Sequence, residues 1–213
     1  MLEDISGEQI KNQFKTNKKL RLITMVVGGI IIVGLGYFAY RQFMYGPANE
    51  KSKDNYWIGL NYAAVDSTDI AIEELRGHVK KYDGKIGGEV AQFVYARQLM
   101  SSGEFNQAIK ELKGVNVSDT YVSVMALGLQ ADCHSELKAY DKAATMYIEA
   151  ADLSDNEMTT PMYLMKAGLC AEEINNFETA TQCYQRIKDD YSSFASQKGI
   201  EKYIARAKNK KTK

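Results

Sequence analysis

The spacing of hydrophobic positions along this chain changes character once. From Leu22 to Tyr40 the stretch LITMVVGGIIIVGLGYFAY runs for 19 residues without a charge. Beyond about residue 54, apolar side chains recur every three or four positions with charges between them, which predicts amphipathic helices. A helix of the uncharged run would rise ~28 Å, close to the ~30 Å hydrocarbon core of a bilayer. Residues 22–40 are therefore expected to span a membrane. The run exceeds the ~7–15 residues of a secretory h-region, and no small-x-small cleavage pattern follows in residues 41–48, so a retained signal anchor is expected.

The flanks set its orientation. Lys11, Lys15, Lys18, Lys19 and Arg21 precede the run, and only Arg41, Lys51 and Lys53 follow it closely. The positive-inside bias assigns the basic tail, 1–21, to the cytoplasm and the rest of the chain to the far side. Tyr37, Phe38, Tyr40, Phe43 and Tyr45 suit the headgroup zone at the outer end. Gly29 and Gly36 share a helix face and form a candidate packing seam for another transmembrane helix, although no GxxxG pattern is present. Residues 41–53 read as a linker.

Three segments, 91–115, 126–150 and 163–187, repeat one pattern of volumes. A small residue comes first (Ala96, Ala131, Gly168), then nine positions on an aromatic (Phe105, Tyr140, Phe177). Three further is alanine (Ala108, Ala143, Ala180), and four further a bulky side chain (Leu112, Tyr147, Tyr184). Two packed antiparallel helices explain the spacing. The small residue on the first helix admits the second, the aromatic plugs the turn, and the alanine permits close contact again. One such hairpin cannot bury its apolar face, but stacked copies can. Residues 54–82 read as a degenerate first hairpin carrying Trp57, Leu60, Ile72 and Leu75. Residues 194–209 read as a capping helix with Ile200, Tyr203, Ile204 and Ala207 on one face. The expected fold class is all-α, with repeats near 89–117, 124–153 and 161–191. Thr160-Pro161 reads as a helix start with a hydroxyl cap. Residues 83–88, DGKIGG, read as a flexible loop lacking a phosphate-binding pattern.

Composition narrows the chemistry. Twenty-seven basic and 27 acidic side chains cancel, which argues against nucleic acid as a partner. Cys133, Cys170 and Cys183 are odd in number and lack C-x-x-C spacing, so they read as small buried hydrophobes. His78 and His134 sit in no metal-binding motif, and His134 falls at a packing position. Glu172-Glu173 and Asp189-Asp190 point apart on a helix and read as solvated charge. No catalytic residue, metal or cofactor is expected, and the chain does not read as an enzyme.

Small-x8-aromatic-x2-Ala-x3-bulky at a period near 34 resembles the tetratricopeptide repeat. The resemblance implies a concave groove lined by the first helix of each hairpin. Its register assigns Phe93, Arg97 and Met100 from the first copy, Met125, Leu129 and Asp132 from the second, and Met162, Met165 and Leu169 from the third. Val90, Val94, Glu136, Lys166 and Glu172 fall beside them. The basic set that grips carboxylate termini in some members is absent, and methionine and leucine stand in its place, which suits varied apolar partners. The layout of basic tail, single anchor and outer repeat domain resembles the ancillary Sec translocon subunit family. That resemblance implies a bacterial inner-membrane protein facing the periplasm, a scaffold in contact with translocon subunits, periplasmic chaperones or their clients. The alternative is a structural subunit of another envelope assembly or secretion complex.

Overall fold

The computed structural model describes residues 14–117 and 119–211, and every regular element among them is helical. Lys11, with the first part of the expected basic tail, lies outside the described residues. The chain forms two units, Met1–Glu50 and Lys51–Lys213.

The first unit holds α1 (Lys18–Tyr40), in which no residue is buried. The Asn17 side chain opens it by accepting from the Lys19 and Leu20 N–H groups, both at 3.1 Å. At ~1.5 Å per residue its 23 residues extend about 34 Å, so α1 is long and apolar enough to cross a membrane. Residues 41–52 are helical. Arg41–Tyr45 is a π-helical turn and α2 follows over Gly46–Ser52. The Gly46 N–H reaches back five residues to the Arg41 carbonyl, and this wide turn accommodates Pro47, which has no N–H to donate.

The second unit continues with α3 (Tyr56–Ala64), α4 (Thr68–Lys81), α5 (Ile86–Ser101), α6 (Phe105–Gly114), α7 (Thr120–Glu136), α8 (Tyr140–Leu153), α9 (Thr159–Glu173), α10 (Phe177–Asp190), α11 (Ser192–Lys198) and α12 (Ile200–Lys211). From α3 to α10 each helix packs on the next in sequence, and α12 packs on α10.

The turns explain why the helices reverse so sharply. Gly103, Lys138 and Asn175 occupy one register position and all have left-handed backbone, with φ of 77°, 59° and 58°. In each turn the next N–H donates to the carbonyl five residues back: Glu104 to Leu99, Ala139 to His134 and Asn176 to Ala171, all at 2.8 Å. This bond closes the end of the first helix of each pair and satisfies a carbonyl the helix would leave bare. Asp66, with φ 56°, and the bond from Ser67 to Tyr62 at 2.9 Å repeat the device between α3 and α4. Four hairpins thus share one turn.

Packing follows the volume pattern. Ala96, Ala131, Ala108, Ala143 and Ala180 are fully buried, as are Leu112 and Tyr184. A Cβ on Gly168 would come within 2.3 Å of the Tyr184 ring, so nothing larger fits there. Two hydrophobic clusters result. One runs from Ala71 and Leu75 to Ala126 and Cys133, the other from Val124 and Ala131 to Ile204 and Ala207. Helix α7 contributes to both, which is why its sequence lacks a clear polar face.

Several local expectations change. Gly87 and Gly88 lie in the first turn of α5 and are buried, so the loop ends earlier than composition suggests. The Gly87 N–H donates to Ser52 Oγ at 3.0 Å, and a Cβ on either glycine would strike backbone 2.0 Å away. Thr160 does not cap α9. The Asn156 side chain does, accepting from the Met158 and Thr159 N–H groups at 2.9 and 2.7 Å, while Thr160 is buried. The C-terminal segment is two helices, broken at Gly199 by a left-handed backbone with φ 60°. Trp57 is 53% exposed rather than packed, although Ile72 and Leu75 of the same hairpin are buried.

Candidate partner-binding groove

The first helices of the three repeats are α5, α7 and α9. Residues at i, i+4, i+7 and i+11 share one helix face. On α5 this face carries Ile86, Val90, Phe93 and Arg97. On α7 it carries Tyr121, Met125, Gly128 and Asp132, and on α9 Met162, Met165 and Leu169, with Met158 immediately before its first turn. Ile86, Tyr121 and Met158 stand at the same register position and are 53%, 60% and 69% exposed. Large apolar side chains thus recur, uncovered, once per repeat.

The nine groove residues expected from the sequence separate in space. Met100, Asp132 and Leu169 line one cleft of about 670 Å³, together with Tyr147, Lys166 and Cys170. Met162 and Met165 line a second, of about 490 Å³, with Met158 and Phe194. Phe93, Arg97, Met125 and Leu129 line neither cleft. Phe93 and Leu129 pack half-buried on the first hydrophobic cluster, and Arg97 and Met125 are exposed. Glu172 is neither a free groove residue nor a solvated charge. Its carboxylate accepts from Tyr184 Oη at 2.9 Å and is held by Arg206.

The first cleft has a polar floor. Asp132 accepts from Tyr147 Oη and from Lys166 Nζ, the latter at 2.6 Å. Lys166 also lies over the Tyr147 ring, 5.5 Å from its centre. Burial, then the bond to Asp132, pushes the Tyr147 hydroxyl far up, so it stays protonated and donating. Cys170 Sγ lies 3.7 Å from Ser135 Oγ, and burial raises its thiol as well. Burial pushes Cys133 and Cys183 up to about 11. A thiol held so far above neutral pH is a poor nucleophile. All three cysteines are buried and unpaired. Among the described residues no group of three or more His, Cys, Asp or Glu side chains is placed to hold a metal ion.

Sequence reasoning did not single out Met158, Phe194 and Lys198, which line the second cleft. Counting back ten positions from each small residue places Met158 with Ile86 and Tyr121, so that signal was present in the repeat. Phe194 and Lys198 belong to α11, which lies outside the repeat, and no periodicity announces them. On α1, Gly28, Gly29, Gly34 and Gly36 have no other side chain or chain segment within 4 Å. Two ion pairs link successive repeats at a separation of 34 residues: Asp132 with Lys166 at 2.6 Å, between the first helices α7 and α9, and Asp152 with Arg186 at 2.5 Å, between the second helices α8 and α10. No protein-family model matches the chain, and no curated protein matches it.

Proposed function

We propose that this chain is a membrane-anchored, non-enzymatic protein-interaction module. Helix α1 holds it in a bacterial inner membrane, and a tetratricopeptide-type solenoid, closed by α11 and α12, works in the periplasm. The partners are subunits of the secretion translocon and periplasmic chaperones or their clients. One observation carries this reading: Ile86, Tyr121 and Met158 stand exposed at equivalent places at the starts of three successive first helices, with Met125 and Leu169 exposed on the same faces. Soluble proteins rarely leave such a series uncovered unless something binds it.

A photo-crosslinking residue at Met125 or Leu169, in cells, tests the reading. Adducts with translocon or chaperone subunits are expected. None, from a correctly inserted chain, overturns it. A reporter fused to the C-terminus and active only in the periplasm is the expected topology, and activity in the cytoplasm overturns it. The Gly29 and Gly36 seam of α1 supports a second reading, a structural subunit of another envelope assembly held through its anchor. Exchanging α1 for an unrelated span separates the two, because only the second reading loses its partner.

A further inference from the structure

We propose that the cleft shared by α5, α7 and α9 receives the lysine or arginine side chain of an otherwise apolar segment of a partner protein, with the cation set between Asp132 and Glu136. This deepens the interaction-module reading above and rests on it.

The cleft, of about 670 Å³, is reached by all three first helices: Met100 comes from α5, Asp132 and Glu136 from α7, and Lys166 and Leu169 from α9. Asp132 and Glu136 are four residues apart, so their side chains are neighbours on one face of α7. Like charges in that relation repel, and a cation between them relieves the repulsion. Among the described residues Lys166 is the one cation that lines the cleft, and it serves Asp132. Its Nζ lies 2.6 Å from Asp132 Oδ1, the same oxygen that accepts from Tyr147. Asp132 Oδ2 takes part in no hydrogen bond among the described residues. Glu136 is exposed and pairs with no cation among them. The cleft therefore keeps one carboxylate in excess.

The Cys170 thiol, in the cleft wall, responds to that field. Burial raises it and the Ser135 bond lowers it; of the charges around it, Asp132 and Glu173 raise it further while Lys166 alone lowers it. Apolar walls set the rest of the ligand. Met100 and Phe105 are half-buried and Leu169 is 39% exposed, so they offer contact to an apolar neighbour and to the aliphatic stem of the basic side chain. In the adjoining methionine cleft, Glu157 and Lys198 balance once Lys166 is committed to Asp132, so no charge is left over there. The clefts beside α4 and along α10 do hold more acid than base, but no first helix of the three repeats lines either of them.

The test uses the full chain in nanodiscs of phosphatidylcholine and three short fluorescent peptides. One alternates leucine with arginine, the second has glutamine for arginine, and the third has glutamate. The arginine peptide should bind tightest. Glu136→Lys should weaken it about tenfold, as expected for losing one favourable charge contact and gaining a repulsive one, and should improve binding of the glutamate peptide. Glu74→Lys and Asp190→Lys, in the two other acidic clefts, should leave the arginine peptide bound as before. All three acids are exposed, so the variants keep the core and the helical circular-dichroism signal. Equal binding of all three peptides, no effect of Glu136→Lys, or an equal loss with Glu74→Lys or Asp190→Lys overturns the proposal. So does a photo-crosslinker at Ser101 that captures only lipid or a second copy of the chain. Failure here with partners still captured through Met125 overturns this assignment alone, whereas loss of both also removes the interaction-module reading.

Discussion

Arg206 clasps Glu172 from 34 residues further along the chain, with Nε 2.9 Å from Oε2 and Nη2 2.7 Å from Oε1. The Glu172 side chain is 8% exposed and also accepts from Tyr184, so α12, α9 and α10 meet at one carboxylate. Arg206→Ala should lower unfolding free energy by about 1–3 kcal/mol, the cost of leaving a charge-assisted acceptor short of its donor. Arg206→Ala combined with Glu172→Gln should lose less than the sum of the two single changes. Urea denaturation of the four proteins checks both expectations.

The shared left-handed turn makes a second prediction. Gly103 adopts its φ without steric penalty, whereas Lys138 adopts the same backbone with a Cβ. Lys138 is exposed and on a turn, so only its conformation is at stake. Lys138→Gly should stabilise the protein by about 0.5–1 kcal/mol, and Gly103→Lys should destabilise it by a similar amount. Thermal melts of the pair give the answer, and shifts of equal sign would refute it.

Two glycines should respond oppositely to alanine. A Cβ on Gly128 would come within 2.2 Å of the Tyr163 ring, where α7 meets α9. Gly128→Ala should cost about 1–3 kcal/mol through overpacking. Gly77, in α4, has nothing within 4 Å, so Gly77→Ala should gain up to about 1 kcal/mol from helix propensity. A destabilised Gly77→Ala would mean that this face is covered in the working protein.

His134 supplies a dependence on pH. It is 8% exposed, and its Nε2 has no hydrogen-bond partner among the described residues. Burial, then Lys142 and Lys113, holds its pKa below the ordinary value. The unfolded chain therefore takes up a proton that the folded chain resists. Stability falls as pH drops below about 6.5 and levels off once the folded state also protonates. His134→Leu should remove this component, so its stability advantage over the parent should widen between about pH 7 and 5. Denaturation of both proteins across that range measures the gap, and a constant gap would contradict it.

The sequence made the repeat legible because the repeat is a statement about volume. Ala108, Ala143 and Ala180 recur where helices touch, and each is fully buried. What escaped were features set by distant partners. Gly87 and Gly88 look like loop residues, but Ser52, 35 positions before Gly87, draws them into a helix. Glu172 looks like surface charge until Arg206 is folded onto it. The lining of the methionine cleft was legible in part. The register found Met162 and Met165, while Phe194 and Lys198 came from a helix that the repeat does not generate.

Helix α7 lends Ala126 and Cys133 to one hydrophobic cluster and Val124 and Ala131 to the other. It is a party wall, and neither room stands without it. Cutting the chain on either side of α7 strips one half of a side of its interior, so the repeats cannot be parcelled out as independent fragments. Any disassembly must begin at the outer hairpins and reach this partition last.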